Sequence, residues 1–540
     1  MFRRFLSTRP PPRPTPPSLS RLLMPVTVAL GVVVAYRVGR MTSPWSTAST
    51  TPVADVDPPR YASAGDVKQA IKEIESLGVE VSSSPADIAH HTSNEFTPHL
   101  PLPEEKPQYI IYPTSTESVA AVMKVLHRYS VPVVPFSGGS SLEGHFYNTR
   151  QGVCVDTSKM NRILRVNHDD LDCVVEAGVN WVALNDAVAP YRLEFGCDCG
   201  PQGQIGGMVA TNASGINAVA HGSMLHNVIG VTAVLADGTV VKTKQRPRKS
   251  SAGYNLTGLM VGSEGTLGIV TEATVKLHVK PQAESTVVGQ FASVRDTTDV
   301  VSHLFRLGIH PHHLELCDAD MMKCFNYAGY TPSDGTKWAE VPTLFIKVGG
   351  ISKSVVKEYV NQIKEVARQH HCHRFTEAQS QTDADVLWGY RKHAFFAMLD
   401  YARHEIDPDV RVWVTDIAVP VSRLSDTLAQ CRALIEASGF ESVVLAHAGD
   451  GNFHADLFYT EKDEQECKRV VDAMVAVGLA NEGTCSGEHG VGNSKRRYLV
   501  DELGGAAVDT MRRIKLAVDP KRILNPDKVF TIDANDDRDY

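Results

Sequence analysis

The 540-residue chain is too long for one hydrophobic core, so two or three domains are expected. A composition of 43% apolar and 21% charged residues is that of a globular enzyme and excludes a fully disordered chain. Lysine and arginine number 54 against 62 acidic residues. Without the seven arginines of the acid-free stretch Met1–Ala54, 47 bases face 62 acids, a formal −15 that argues against nucleic acid and suits a basic protein partner.

Residues 1–40 are basic, rich in Ser and Thr, and read as a mitochondrial targeting segment. Within them, Leu22–Tyr36 is an apolar run broken by Pro25, Thr27 and Gly31. It is shorter than the roughly 20 residues of a spanning helix. Arg21 and Arg37 can snorkel to extend it, so a single inner-membrane anchor is expected, with a cleaved leader as the alternative. Residues 41–65 carry Ser, Thr and Pro with few large apolar groups and read as a linker.

Folded chain is expected from 66. Val67, Ala70, Ile71, Ile74 and Leu77 share one helical face, with Gly78 as a stop. Tyr109–Tyr112 reads as a strand, and Thr114 with Glu117 as a capping box opening a helix through Tyr129. Val131–Pro135 is the next strand, which runs into the loop Ser137-Gly138-Gly139-Ser140-Ser141-Leu142-Glu143-Gly144-His145. Short strands then alternate with glycine turns: Gly152–Asp156, Cys173–Ala177, Val228–Leu235 and Gly268–Leu277. From 278 onward the periods lengthen. Helices are predicted over Ser354–Arg368, Asp383–Arg403 and Arg423–Ala437, and strands over Thr343–Val348, Arg411–Val419 and Val443–His447. The result is an α+β chain with 66–277 as one domain, 278–480 as a second on an antiparallel sheet, and 481–540 as a C-terminal segment. Ten cysteines form no CxxC pair, and the lone Cys197-x-Cys199 reads as structural.

No G-x-G-x-x-G opens a helix after a strand, and no Walker A sequence is present. The loop Ser137–Gly144 nonetheless suits a phosphate. Its glycines reach positive φ and let backbone N–H groups converge, while Ser140 and Ser141 add hydroxyl donors. Further along come Gly200-Pro201, then Gly206-Gly207 with Asn212, and Gly262–Val270, whose small residues let backbone approach a flat ligand. This ordered set resembles the vanillyl-alcohol oxidase type of FAD-binding fold and, within it, the D-lactate dehydrogenase (cytochrome) family, over about 107–530. The resemblance implies a split FAD-binding domain joined to an α+β substrate domain. It places Ser137, Gly138, Gly139, Ser140 and Ser141 at the pyrophosphate. It also implies that Gly200, Gly206, Gly207, Asn212 and Ile269 line the rest of the cofactor, with Asn525 of Ile523-Leu524-Asn525-Pro526 near the flavin ring. Ser140 stands where covalently flavinylated relatives carry histidine, so FAD is expected to be non-covalent.

The stretch Ala446–His454 holds Asp450-Gly451, a two-residue hairpin signal that would set His447 opposite His454 on one face. Glu488 and His489 lie on a glycine-flanked loop. By spacing alone, a two-His, one-Glu metal site and separate histidines among the 21 are equally good readings. The resemblance implies the first: His447, His454 and Glu488 as ligands of a divalent metal, zinc or manganese, with His489 as general base and Arg391 as the arginine that binds the substrate carboxylate.

That equipment matches oxidation of a D-2-hydroxy acid. The α-hydrogen leaves as hydride to flavin, a metal fixes the hydroxyl and carboxylate oxygens, and an imidazole takes the hydroxyl proton. Relatives that act on D-2-hydroxyglutarate carry a lysine where Val414 stands, so D-lactate is the expected substrate, with D-2-hydroxyglutarate as the alternative. Cytochrome c or a quinone is the expected electron acceptor. A non-redox enzyme resembling alkyl-glycerone-phosphate synthase, or a tethered metal-binding protein, are the readings from other classes.

Overall fold

A computed structural model describes residue 31 and residues 52–538, apart from 95, 96, 98, 99, 333, 334 and 537. The targeting segment and the anchor expected at 22–36 lie outside the described residues, Gly31 excepted. Among the described residues no helix is long and apolar enough to cross a membrane.

Local rules set most elements. In the helix Ala64–Ser76 the Ser63 hydroxyl accepts from the Asp66 N–H while the Asp66 carboxylate accepts from the Ser63 N–H, and Val67, Ala70, Ile71 and Ile74 are buried as the period requires. Leu77 falls just beyond the end and is 50% exposed. The helix Thr116–Tyr129 is capped by Ser115 and Ser118, not by Thr114 and Glu117. Ser115 is the residue that adopts extended backbone, so the box shifts by one position.

Three sheets follow. In the first, the order is Glu80–Ser82, Tyr109–Tyr112, Val153–Asp156, Val133–Phe136, with the last three parallel. The C-terminal segment docks on its edge: Val133 N–H donates to Ile523 O (2.8 Å) and Asn525 N–H to Val133 O (2.7 Å). The second sheet is antiparallel and centred on the long strand Ile269–Val279, between Asp172–Glu176 and Val228–Val234.

The third sheet has eight antiparallel strands, in the order Cys372–Glu377, Ala283–Phe291, Thr343–Gly350, His313–Cys317, Glu441–His447, Asn452–Tyr459 and Arg411–Trp413, with Ile417–Ala418 also paired to Asn452–Tyr459. Its side chains alternate between two cores. Leu314, Leu316, Val444, Ala446, Phe453 and Ala455 pack with the helices Val294–Arg306, Lys353–Gln369 and Glu464–Ala480. Cys317, Val443, Leu445 and Phe458 face Trp388 and Tyr401 on the other side. Period two therefore puts Glu315, His447 and His454 on that second face.

Two expected elements are divided. The helix expected over Asp383–Arg403 is two helices, Gln381–Lys392 and Ala394–Glu405, separated at His393, whose ring binds Gly389 O (2.8 Å). The strand expected over Arg411–Val419 leaves its ladder at 414–416. There the Thr415 hydroxyl donates to Ala455 O (3.0 Å) and accepts from Ala455 N–H (2.9 Å), so a side chain replaces the backbone pairing.

Candidate active site

The strand Val133–Phe136 runs into Ser137–Ser141, and all five loop residues line a cavity of about 860 Å³. Gly139 has φ +63°, and a Cβ there would lie 2.7 Å from the Phe136 ring. A Cβ on Gly206 would lie 2.7 Å from that of Ala177, so only glycine lets the helix Ile205–Thr211 sit this close to the second sheet. Gly200, Gly207, Ile269 and Asn525 also line the cavity. Asn212 does not. It ends its helix at φ +53° and its side-chain carbonyl accepts from Leu225 N–H (2.9 Å), so the motif position is kept but the side chain caps backbone.

This wall fits a dinucleotide. It is formed from glycines, backbone and hydroxyls, and the buried Ser141 Oγ and Asn525 Oδ1 have no hydrogen-bond partner among the described residues. Ser140, the residue after the glycine pair, carries no nucleophile comparable to imidazole. His145 lines the same cavity with its Nε2 3.1 Å from Glu264.

The opposing chemistry comes from the third sheet. The hairpin pairs His447 with Asn452 and Leu445 with His454, not His447 with His454. Its turn takes four residues rather than two: Asp450 N–H donates to His447 O, and Gly451 lies at φ +71° against Val419 O. A shift of two residues preserves parity, so the imidazoles still share a face as diagonal neighbours, ring centroids 5.6 Å apart.

Each imidazole is oriented through Nδ1, His447 on Glu315 Oε1 (2.8 Å) and His454 on Thr415 O (2.8 Å). Their Nε2 atoms then converge on Glu488 Oε1, at 3.0 and 3.2 Å. The three ligand atoms lie within 4.8 Å of one another. In the absence of an ion these contacts are satisfied by protonated imidazoles, since Glu315 and Glu488 raise His447 and Glu488 raises His454. With the rings deprotonated, the same three atoms offer two nitrogen lone pairs and a carboxylate to one point, and the partners at Nδ1 favour the tautomers that metal ligands need. The donor set fits a divalent ion. Burial opposes the charge on Glu488, but the two histidines hold its carboxyl well below the usual range, and Ser214 Oγ donates to its second oxygen (2.8 Å). A second trio, Asp416, His454 and His489, is equally close. Asp416 there is already taken up by the N–H groups of Glu488 and His489, by Asn452 and by Lys495.

His489 stacks on His454 at 5.1 Å. Burial pushes its imidazole below the ordinary value, against the pull of Asp416, which favours the neutral, proton-accepting form. Arg391, buried on Gln381–Lys392, donates through Nε (2.9 Å) and Nη2 (2.7 Å) to Glu315 Oε2. Its Nη1 makes no hydrogen bond among the described residues.

The expected ligands, base and arginine are thus brought together. Glu315, which touches both Arg391 and His447, was not anticipated, though a lone carboxylate between Leu314 and Leu316 is the signal that marks it. Asp198 also lines the cavity, its carboxyl pushed up to about 6 by burial. Asp416 lies in the interrupted strand, and Lys495 carries no sequence signal.

Two family models match the chain: "FAD binding domain" over residues 107–244 and "FAD linked oxidases, C-terminal domain" over 280–529. The chain is 46% identical to mitochondrial D-lactate dehydrogenase [cytochrome] 1 of Saccharomyces cerevisiae, over 90% of this chain and 84% of that one. It is 43% identical to mitochondrial D-lactate dehydrogenase [cytochrome] of Kluyveromyces lactis, over 94% and 89%. Among solved structures it resembles 4-ethylphenol oxidase from Gulosibacter chungangensis (TM-score 0.70, 18% identity, 88% and 99% covered) and alkyldihydroxyacetonephosphate synthase (0.65, 19%, 90% and 90%), likenesses of fold alone.

Proposed function

The chain belongs to the D-lactate dehydrogenase (cytochrome) family of FAD-linked oxidases, and on that premise we propose how its own residues oxidise D-lactate to pyruvate. It is an FAD-dependent oxidoreductase. Residues 66–277, with the returning segment 481–540, hold the cofactor, and 278–480 carry the substrate side. Ser137–Ser141 hold the pyrophosphate; Gly200, Gly206, Gly207, Ile269 and Asn525 line the remainder. When bound, non-covalently, FAD supplies the hydride acceptor. A divalent ion, zinc or manganese, held by His447, His454 and Glu488, supplies a Lewis acid for the substrate hydroxyl.

Arg391 takes the substrate carboxylate on the nitrogen that Glu315 leaves open. His489 removes the hydroxyl proton. Its Nδ1 makes no hydrogen bond but faces the carboxylates of Glu143 and Asp416 at 3.8 Å, whose charge favours a proton on that atom, so Nε2 is the acceptor in this reading. Val414 lines the cavity as an apolar neighbour suited to the methyl group of lactate. The observation that carries this reading is the convergence of two imidazoles and one carboxylate in the same cavity as the glycine loop.

A second reading, D-2-hydroxyglutarate, has one observation in its favour: Lys392 lines that cavity, where it makes no close ion pair among the described residues and its charge acts on Asp198. The relatives' names and the basic residues 1–40 support a mitochondrial location; in this reading 22–36 is an inner-membrane anchor and cytochrome c is the acceptor for an acidic body. Steady-state rates with D- and L-lactate and D- and L-2-hydroxyglutarate, using cytochrome c or a soluble quinone, test the assignment. D-lactate with cytochrome c should be the best pair, and slowed by salt. A preference for D-2-hydroxyglutarate would overturn the reading of Val414.

A further inference from the structure

The segment 486–495, which carries Glu488 and His489, belongs to no strand and to no helix of its own. Carboxylates from elsewhere shape it. Asp416 accepts from the N–H groups of Glu488 (3.1 Å) and His489 (2.9 Å) and from the Ser486 hydroxyl (2.9 Å). Glu264 accepts from the N–H groups of Val491 (2.6 Å) and Gly492 (2.8 Å). Glu143, inside the first glycine loop, accepts from Asn493 N–H at its backbone oxygen (3.1 Å) and from Ser494 at its side chain. The two loops touch backbone to backbone, since a Cβ on Gly492 would lie 1.9 Å from Glu143 O.

One cation links the two sides. Lys495 Nζ lies 2.9 Å from Glu143 Oε1 and 3.0 Å from Asp416 Oδ2, and all three side chains are buried. Without that ammonium two buried carboxylates would lose a charged partner, which is costly where water cannot replace it. The chain Glu143–Lys495–Asp416 is therefore favourable only when both loops are in place together.

We propose that Lys495 is a positioning residue that makes the ordering of the glycine loop 137–145 and of the Glu488-His489 turn a single event, so that FAD binding tightens divalent-ion binding. The inference rests on the cofactor and ion assignments above. Coupling of this kind is reciprocal, so the ion must tighten FAD by the same factor.

The test uses the full-chain holoenzyme and the same preparation with flavin removed, each stripped of metal. Mn²⁺ affinity is measured by competition with a fluorescent chelator, with and without saturating FAD, and FAD affinity by flavin fluorescence with and without Mn²⁺. Wild-type protein should bind Mn²⁺ about tenfold more tightly with FAD present, within the usual range of coupling between sites. In Lys495→Met the ratio should fall close to one. General destabilisation, which FAD binding would partly rescue, raises the ratio rather than lowering it, so a fall toward one isolates positioning. If Lys495→Met does not fold, Glu143→Gln, which keeps the shape and removes the charge, should show the same loss. A wild-type ratio below about twofold, or an unchanged ratio in the folded variant, overturns the proposal. Absence of Mn²⁺ binding in every preparation overturns the ligand assignment itself, and the proposal with it.

Discussion

Ser137–Ser141 and Gly206–Gly207 present backbone and hydroxyls to the cavity, with no charge among them. The facing wall presents His447 and His454 from the eight-stranded sheet, Arg391 from the helix Gln381–Lys392 and Glu488 from the segment 486–495, every one of them held by a buried partner before any ligand arrives. The first wall selects by the absence of side chains, and its failures should be steric. The second selects by charges whose burial is tolerated only in company, and its failures should be electrostatic. The two should therefore break separately: cofactor retention on one side, turnover on the other.

The largest separation is expected from His454→Ala. It removes one of the three proposed ligands without touching the glycine loop, so turnover should fall at least about a hundredfold while flavin content, read from visible absorbance, stays at the wild-type level. Loss of flavin in step with activity would mean that the two walls are one functional unit. Glu315→Gln comes next. It leaves the Arg391 guanidinium buried without its carboxylate and loosens His447, and should lower unfolding stability by about 3–5 kcal/mol, measured by denaturant titration, with a smaller loss of turnover. A variant as stable as wild type would show that Arg391 finds another partner.

Gly139→Ala probes the first wall. A non-glycine residue in left-handed backbone costs about 1–2 kcal/mol, so FAD affinity should weaken about tenfold, with turnover per bound flavin far less affected than in His454→Ala. The smallest effect concerns specificity. Wild type should favour D-lactate over D-2-hydroxyglutarate in kcat/KM by about tenfold or more, and Val414→Lys should narrow that gap by giving the distal carboxylate a cation. A gap that does not change would assign the distal site to Lys392 instead.

The same contrast explains what the sequence made legible. The glycine loops were readable because positive φ and close approach demand a residue type at each position; Gly139 and Gly206 meet that demand directly. Asn212 shows the limit, since a matching position does not say where a side chain turns. In the charged wall the histidine pair survived an error of two in register, because strand periodicity depends on parity. Glu315 could be marked as a lone carboxylate between two leucines, but its partner was out of reach. Glu315 stands directly across from His447 only because the strand His313–Cys317, more than a hundred residues earlier, inserts beside Glu441–His447. Asp416 and Lys495 likewise meet through topology rather than spacing. The divided strand at 414–416 was hidden for a related reason: Thr415 is a good strand residue, and its role in replacing the ladder depends on Ala455.

The cluster of His447, His454 and Glu488 is proposed to serve oxidation of D-lactate through a bound divalent ion. Anaerobic mixing of the holoenzyme with D-lactate, followed by flavin absorbance before and after treatment with a strong chelator, tests it most directly. D-lactate should bleach the flavin rapidly, chelation should abolish that bleaching with the flavin still bound, and Zn²⁺ or Mn²⁺ should restore it. Bleaching at an unchanged rate in protein shown to be free of metal would contradict it.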